Sequence, residues 1–200
     1  MNNRSEKIFR LIFNEILWLL EMLIISFFVA TLAFTYIFHV ATVKGDSMKN
    51  TLISGDKLIT TAGCHSLEQG DIVIIYAADA VTLDDNRQLE IKKGLRKSLV
   101  KRVIAVGGQT IDIDFDRGAV FVDGVMIDEN YITGLTHMDE GAFTGKYPVE
   151  VPEGYVFVMG DNRQISKDSR SAEIGFVAVE NITGKVILRF SPWESFGFVE

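Results

Sequence analysis

A serine and a lysine in this sequence have settings suited to nucleophilic chemistry. Ser47 lies in a short polar stretch at residues 45–48, and Lys101 lies inside an apolar run at residues 99–106. Lys101 and Arg102 are adjacent, so in a strand they face opposite sides, and one of them must face the more buried side. An arginine keeps its proton, whereas burial can lower the pKa of a lysine by several units. If Lys101 is the buried residue, it can act as a general base.

Taken alone, each residue has a more ordinary explanation. A serine after Gly-Asp commonly forms a turn, and a lysine in a strand commonly points to solvent. The position of Ser47 is more informative, because it follows closely on a long apolar segment and precedes the apolar Met48. If that segment crosses a membrane, Ser47 lies at the external headgroup level and can reach a peptide bond held near the bilayer surface.

The apolar segment is long enough to span a bilayer. Residues 22–43 include no Asp, Glu, Lys or Arg, and as a helix they would extend about 33 Å. A cleavable signal peptide would have a shorter apolar region followed by small residues two positions apart, whereas Ala30 and Ala33 are three apart. We therefore predict an uncleaved transmembrane signal anchor at residues 16–43.

The charges before the anchor predict its orientation. Arg4, Lys7 and Arg10 precede the apolar run, and basic residues favour the cytoplasmic side. The prediction is a cytoplasmic N-terminus at residues 1–15, a single pass through the cell membrane and an extracytoplasmic β-rich domain at residues 44–200. Membrane lipid is then one partner of the chain. The basic cluster at residues 92–97 is either a solvated hairpin end or a contact with anionic headgroups.

The pattern after the anchor predicts a mainly β fold. Short runs rich in Val and Ile, period-two alternation and an Asp-Gly turn at residues 123–124 indicate antiparallel strands joined by hairpins. No amphipathic helix longer than two turns is expected after residue 43. Two polar insertions, at residues 77–98 and 132–148, look like surface excursions without a chemical motif. The predicted strands are residues 71–76, 99–106, 110–115, 120–122, 125–127, 155–159 and 185–190.

Composition excludes several function classes. The net charge is −7 and the sequence pI is about 5.0, which argues against a nucleic-acid binder. Cys64 is the only cysteine, so no internal disulfide or CxxC pair exists, and we assign it no catalytic role. The histidines His39, His65 and His137 lack ligand spacing, so no metal site is expected.

The polar stretches, taken in order, resemble those of the bacterial type I signal peptidases, and the short chain with one anchor is similar to the Gram-positive branch. The resemblance implies a mainly β, antiparallel catalytic domain behind one N-terminal transmembrane helix. It covers the whole chain, and its most specific part follows residue 160. The residues that carry it are Gly45-Asp46-Ser47-Met48 with Thr51-Leu52, Gly70-Asp71-Ile72-Val73, Lys101-Arg102-Val103, and Gly160-Asp161-Asn162-Arg163 with Ser166 and Asp168-Ser169-Arg170.

The resemblance implies a role for each matched residue. Ser47 would be the nucleophile, with its backbone N–H donating to the oxyanion, and Lys101 would be the general base. Ser166 would hydrogen-bond the Lys101 amine and orient it. Some relatives carry a hydroxyl where this chain has Gly45, so a second oxyanion donor must here be backbone or water. The remaining supporting residues are Met48 beside the nucleophile and the bracing charges Arg102, Asp161, Asp168 and Arg170.

The implied reaction is hydrolysis of signal peptides from secreted preproteins, with small residues preferred at the first and third positions before the cut. No cofactor is implied. The chain departs from the family pattern at Asn50, where proline is usual, and at residues 107–109, where Pro-Gly-Asp is usual.

Two alternatives compete with this hypothesis. A self-cleaving repressor uses the same chemistry on a related fold, but it needs a soluble chain, and the apolar segment argues against one. A membrane-anchored homologue that binds or scaffolds secretory proteins without catalysis should have lost Ser47 or Lys101, and this chain has both.

Overall fold

The protein was analysed as a computed structural model that describes residues 3–63 and 66–199. Cys64 and His65, to which the sequence assigned no role, lie outside the described residues. The chain divides into two compact units, Met1–Phe38 and His39–Glu200. The first is mainly a helix, and the second contains nearly all of the strands.

The helix, α1, runs over Asn3–Tyr36. Within it, Lys7–Tyr36 is long and apolar enough to cross a membrane, and its large apolar side chains are exposed. The helix ends earlier than the predicted anchor at residues 16–43, because Phe38–Thr42 forms strand β1 instead. Hydropathy alone does not distinguish an apolar helix from an apolar strand that follows it directly.

The larger sheet of the second unit has eight strands in the order β1-β2-β13-β3-β6-β11-β12, with β14 pairing with β13. The registers determined among its strands are antiparallel. The fold is therefore mainly antiparallel β with one N-terminal apolar helix, as the sequence predicts. The bounds of the seven strands after β1 are β2 Lys57–Thr61, β3 Ile72–Tyr76, β6 Ser98–Val106, β11 Tyr155–Met159, β12 Val177–Ala178, β13 Ile182–Ser191 and β14 Gly197–Phe198.

Strand β6 occupies the interior of this sheet, between β3 and β11. Lys101 pairs with Val73 of β3, and Arg102 pairs with Ile72 of β3 and with Met159 of β11. Because β11 ends at Met159, the polar loop from residue 160 begins beside the charged residues of β6. Both Lys101 and Arg102 are buried, so the two faces of β6 are covered at this point.

A four-stranded sheet, ordered β10-β7-β8-β9, and a two-stranded ribbon, β4–β5, complete the unit. The ribbon occupies the insertion at residues 77–98, where Ala80, Val81 and Thr82 are buried. The insertion at residues 132–148 contributes the fully buried Phe143. The expectation that these insertions are only surface excursions is therefore wrong, because both supply core side chains. The bounds are β4 Asp79–Leu83, β5 Leu89–Lys93, β7 Thr110–Asp114, β8 Ala119–Val122, β9 Val125–Met126 and β10 Val149–Glu150.

The apolar core consists of three clusters. Phe143, Phe157 and Phe176 form an aromatic group in the first, with ring centroids 4.6 to 6.3 Å apart. The second cluster includes β3, β6 and β11 residues. The third cluster positions the site, because Met48 and Leu52 pack in it against residues of β2 and β3.

Candidate active site

Ser47 is carried on a tight turn between β1 and β2. The Leu52 N–H donates to the Met48 carbonyl at 2.8 Å, and the Lys49 N–H donates to the Asp46 carbonyl at 3.1 Å. Met48 and Leu52 are at most 1% exposed. Their burial fixes the turn to the sheet and leaves Ser47, which is half-buried, at the surface of the core. Met48 thus contributes packing next to Ser47.

The structure brings Ser47 and Lys101 together, although 54 positions separate them in the sequence. The Lys101 Nζ donates to the Ser47 Oγ at 2.8 Å and to the Val100 carbonyl at 3.0 Å. Lys101 is 1% exposed. At this distance an unprotonated amine can accept the hydroxyl proton of the serine.

Burial gives the Lys101 amine an unusual acidity. Removal from water lowers the pKa of Lys101 from 10.5 to about 8, against the opposing attraction of Asp168 and Asp161. A substantial fraction of the amine is then neutral near physiological pH. An exposed lysine would be almost wholly charged under the same conditions.

Ser166 lies beside this pair but does not make the expected hydrogen bond to Lys101. Its side chain is fully buried, and its Oγ has no hydrogen-bond partner among the described residues. The Lys101 amine uses the Val100 carbonyl of its own strand instead. Ser166 packs against Gly160, where an added Cβ would meet both the Ser166 side chain and the Ser47 carbonyl. Its hydroxyl therefore borders the site without orienting the lysine in this arrangement.

The buried ion pair of Arg102 and Asp161 links β6 to the turn that carries Ser47. Arg102 donates through Nε and Nη2 to the two Asp161 carboxylate oxygens at 3.0 and 2.9 Å. Asp161 also accepts a hydrogen bond from the Thr51 hydroxyl, and Arg102 lies over the Tyr131 ring at 4.0 Å from its centroid. Bidentate pairing of this kind fixes both partners in orientation. Asp161 thereby holds the strand of the lysine and the turn of the serine.

A second buried pair, Asp168 and Arg170, supports the loop after β11. Arg170 donates from Nε and Nη2 to the Asp168 oxygens, both at 2.9 Å, and Asp168 accepts from the Gly160 N–H at 3.0 Å. Burial raises the pKa of the Asp168 carboxyl, but the charge and hydrogen bonds of Arg170 outweigh it and hold the pKa below its usual value. Arg170 also donates to the Ser166 carbonyl at 3.3 Å.

The loop after β11 contacts the turn that carries Ser47 directly. The Asn162 N–H donates to the Ser47 carbonyl at 2.9 Å, and the Asn162 side chain donates to the Asp46 carbonyl at 3.2 Å. Gly45, just before the turn, has a positive φ of 85°, and its N–H donates to the Ser54 hydroxyl at 3.4 Å. Five of the residues predicted to surround the serine and lysine thus lie in one network: Met48, Arg102, Asp161, Asp168 and Arg170.

The sequence did not reveal a clamp formed by residues 129–136. Thr133 donates through Oγ1 to the Lys49 carbonyl at 3.1 Å and through its N–H to the Asp161 carbonyl at 2.7 Å. Glu129 forms an ion pair with the buried Arg163, which donates to the Gly160 carbonyl at 3.1 Å. No local pattern marks these residues, because their partners are distant in sequence.

A groove beside Ser47 offers space for a substrate. Its volume is about 360 Å³, and its two sides come from residues 41–44 and residues 98–100. Met48 and Ile74 form part of its apolar lining. A more open depression of about 560 Å³ lies against β10 and the turn of the β4–β5 ribbon, and neither Ser47 nor Lys101 lines it.

The known proteins that resemble this chain are signal peptidases. A family model described as signal peptidase, peptidase S26, matches residues 16–193. The probable signal peptidase I-1 of Synechocystis is 31% identical over 89% of this chain and 84% of its own length. The signal peptidase IB of Staphylococcus aureus strain COL is 29% identical over 92% of this chain and 93% of its own. A crystal structure of a signal peptidase I from Enterococcus faecalis aligns with a TM-score of 0.42 and 23% identity, covering 60% of this chain and 96% of that one.

Proposed function

The chain belongs to the signal peptidase family, peptidase S26, and from that membership we propose that it cleaves signal peptides from secreted preproteins, with Ser47 as nucleophile and Lys101 as general base. The observation that carries the proposal is the 2.8 Å contact between the Lys101 Nζ and the Ser47 Oγ, made by a lysine that is 1% exposed. The Lys101 amine is close enough to take the Ser47 proton, and its lowered pKa leaves part of it neutral, as a general base must be.

The chemistry proceeds in two stages. In the first, neutral Lys101 takes the hydroxyl proton while the Ser47 Oγ attacks the scissile carbonyl. The resulting ammonium gives the proton to the leaving amine nitrogen as the peptide C–N bond breaks and an acyl-enzyme ester remains. In the second, Lys101 takes a proton from water, whose oxygen attacks the ester carbonyl. The Ser47 oxygen then leaves with that proton, and the carboxylic product departs.

The oxyanion of each stage requires hydrogen-bond donors. No hydrogen bond within residues 3–63 and 66–199 engages the Ser47 backbone N–H, which makes it available as one donor. Gly45 has no side chain to offer as a second donor, and its own N–H faces Ser54. The second donor is therefore a water or a backbone group of the bound substrate complex.

The groove next to Ser47 is where the substrate lies in this proposal. Residues 98–100 on one side and 41–44 on the other provide backbone edges for an extended peptide. Met48 and Ile74 in the lining of the groove favour apolar side chains before the cut, and the family resemblance implies that these side chains are small. The exclusion of bulky residues there is part of the proposed specificity.

We propose that the reaction takes place on the outer side of the cell membrane. The apolar helix fits a membrane anchor, and membership of this family of membrane peptidases agrees with it. We place the N-terminus in the cytoplasm and the β unit outside, because Lys7 and Arg10 precede the uncharged part of the helix. Single-pass attachment would bring Ser47 close to signal peptides that are themselves still in the bilayer.

A preprotein-cleavage assay on the full chain in detergent tests the proposal. Ser47→Ala and Lys101→Ala should each lower the rate by several orders of magnitude, and the double variant should be little worse, because the pair acts as a unit. Ser66→Ala and Lys97→Ala, at exposed positions, are matched controls that should cleave normally. Near-normal cleavage by Ser47→Ala or Lys101→Ala contradicts the dyad. An unmodified chain that binds preproteins but does not cleave them would favour the scaffolding alternative.

A further inference from the structure

Glu140 lies next to the buried charges behind Lys101, although nothing in its sequence setting marks it. Its side chain is 17% exposed, and its Oε1 lies 3.8 Å from the Arg170 Nη2. The backbone around it is paired with the segment that carries Arg170. The Ala172 N–H donates to the Glu140 carbonyl at 3.1 Å, and the Ala142 N–H donates to the Arg170 carbonyl at 2.9 Å. Glu140 is therefore held against Arg170 by main-chain hydrogen bonds that do not depend on its charge.

The charges around Lys101 do not cancel. Arg102 neutralises Asp161 and Arg170 neutralises Asp168, each through a bidentate pair. Glu140 is one negative charge beyond those two pairs. The charged groups that act on Lys101 are Asp168, Asp161, Arg170 and Glu140, and those that act on Glu140 are Asp168, Arg170, Lys167 and Lys101. Lys167 is exposed and forms an ion pair with Glu173.

We propose that Glu140 is a positioning residue that acts through Arg170 and Asp168 to set how readily Lys101 gives up its proton. This inference rests on the proposed function, because it assigns a regulator to the same base. Glu140 touches neither Ser47 nor the groove, so it takes no part in the chemical steps. Its influence is electrostatic, carried by the Arg170 guanidinium that it shares with Asp168.

The sign of the effect follows from the geometry. The negative charge of Glu140 stabilises the Lys101 ammonium. It also offsets part of the positive charge of Arg170, and that positive charge destabilises the ammonium. Removing the Glu140 charge withdraws both influences, so the pKa of Lys101 should fall further. Burial raises the pKa of the Glu140 carboxyl itself, and Asp168 adds to that rise. Protonation of Glu140 as the pH falls should therefore help to keep Lys101 neutral.

Glu140→Gln tests this inference, because the amide keeps the size and the main-chain pairing and removes the charge. The measurement is the pH profile of kcat/KM for the full chain in detergent. We expect the acid limb to move to lower pH, raising kcat/KM about twofold or more well below the limb, which corresponds to about 0.3 pH unit or more. Glu180→Gln, at an exposed position, removes the same charge elsewhere and should leave the limb unchanged. Glu140→Asp keeps the charge and should restore most of the original profile.

The outcomes separate this inference from the proposed function. If Ser47→Ala and Lys101→Ala are inactive but Glu140→Gln has the acid limb of the unmodified chain, the role of Glu140 is refuted and the dyad stands. A lower rate at every pH with an unmoved limb assigns Glu140 a merely structural role and also refutes the inference. If Glu140→Gln fails to fold, Glu140→Ala decides, because it also removes the charge while the main-chain hydrogen bonds around residue 140 remain. An unmoved acid limb in Glu140→Ala contradicts the inference.

Discussion

The pH dependence of cleavage is the most direct consequence of the buried lysine. Lys101 is 1% exposed and its pKa is lowered to about 8. The shift from 10.5 represents about 3 kcal/mol of unfavourable charging. Roughly one amine in ten is then neutral at pH 7, against about one in 3,000 for an ordinary lysine. In the proposed mechanism only the neutral amine can take the serine proton, so this fraction scales the rate.

The expected profile differs in shape as well as position from that of an ordinary amine. Between pH 7 and pH 9, kcat/KM should rise about tenfold and then level off, because the titration of Lys101 is nearly complete. An amine that titrates at its ordinary pKa would give a rise of about 100-fold over the same interval, with no levelling. The assay is the initial rate of cleavage of a fluorogenic peptide without titratable side chains, at concentrations below KM, with the full chain in detergent.

Two controls make this profile interpretable. Lys97→Ala removes an exposed lysine just before β6 and should leave the acid limb in place. Unchanged kcat/KM in viscous buffer establishes that chemistry, and not encounter with the substrate, limits the rate. With chemistry limiting, a profile that is flat from acid to alkaline pH, or one that still rises steeply above pH 10, would refute Lys101 as a base of lowered pKa.

Three further predictions follow from the same contacts. Gly160→Ala places a Cβ about 2.5 Å from the Ser47 carbonyl oxygen, so the turn must shift and kcat/KM should fall about 100-fold; an unchanged rate contradicts the crowding. Asp161→Asn removes the carboxylate charge of the buried ion pair with Arg102 and should lower the free energy of unfolding by about 3 kcal/mol in urea titrations. The exposed Asp116→Asn should leave the free energy of unfolding unchanged. Protease added to cells without a wall should digest the β unit; its protection would reverse the proposed topology.

The linkage between Lys101 and stability has its own pH window. The pKa of Lys101 is lower in the folded chain than in the unfolded chain, so between pH 8 and pH 10.5 the unfolded state binds more protons. Stability from this group therefore rises with pH across that window, by about 3 kcal/mol in total. Lys101→Met should remove this rise, as measured by urea unfolding at pH 7.5 and pH 10.5. An equal slope in the variant and the unmodified chain contradicts the lowered pKa.

The sequence was most informative where the signal is local. The apolar run around Lys101 and the run before residue 160 correspond to strands β6 and β11, and adjacency of Lys101 and Arg102 correctly implied opposite faces. The adjacency of the two residues does not predict that both faces are covered. Arg102 is 3% exposed because Asp161 and Tyr131, from two other segments, surround it. Burial of that kind depends on partners far along the chain, which periodicity cannot identify.

The insertions show the same limit more clearly. Polar composition suggested that residues 77–98 and 132–148 lie outside the core, yet Val81 forms a bridge with Gly175 and Phe143 packs against Phe176. The role of Asn50 also depends on a residue that is distant in the sequence. Asn50 stands where the family resemblance implies a proline, and its φ of 99° is one that proline cannot adopt. Its side chain instead donates to the Ile132 carbonyl at 3.1 Å, which joins the turn that carries Ser47 to the clamp at residues 129–136.

The distance between Ser47 and Lys101 is set by groups that belong to neither residue. Ser47 is held through its own carbonyl by Asn162, while Lys101 is held by its strand, and Asp161 contacts both sides through Thr51 and Arg102. Buried ion pairs of this type contribute little net stability, because desolvation offsets much of their attraction. Their contribution here is geometric, since a polar loop fixed at residues 160–162 leaves the serine turn and the lysine strand one relative position. In the proposed dyad no third catalytic group orients the base, so this loop has to supply the alignment that such a group would otherwise provide.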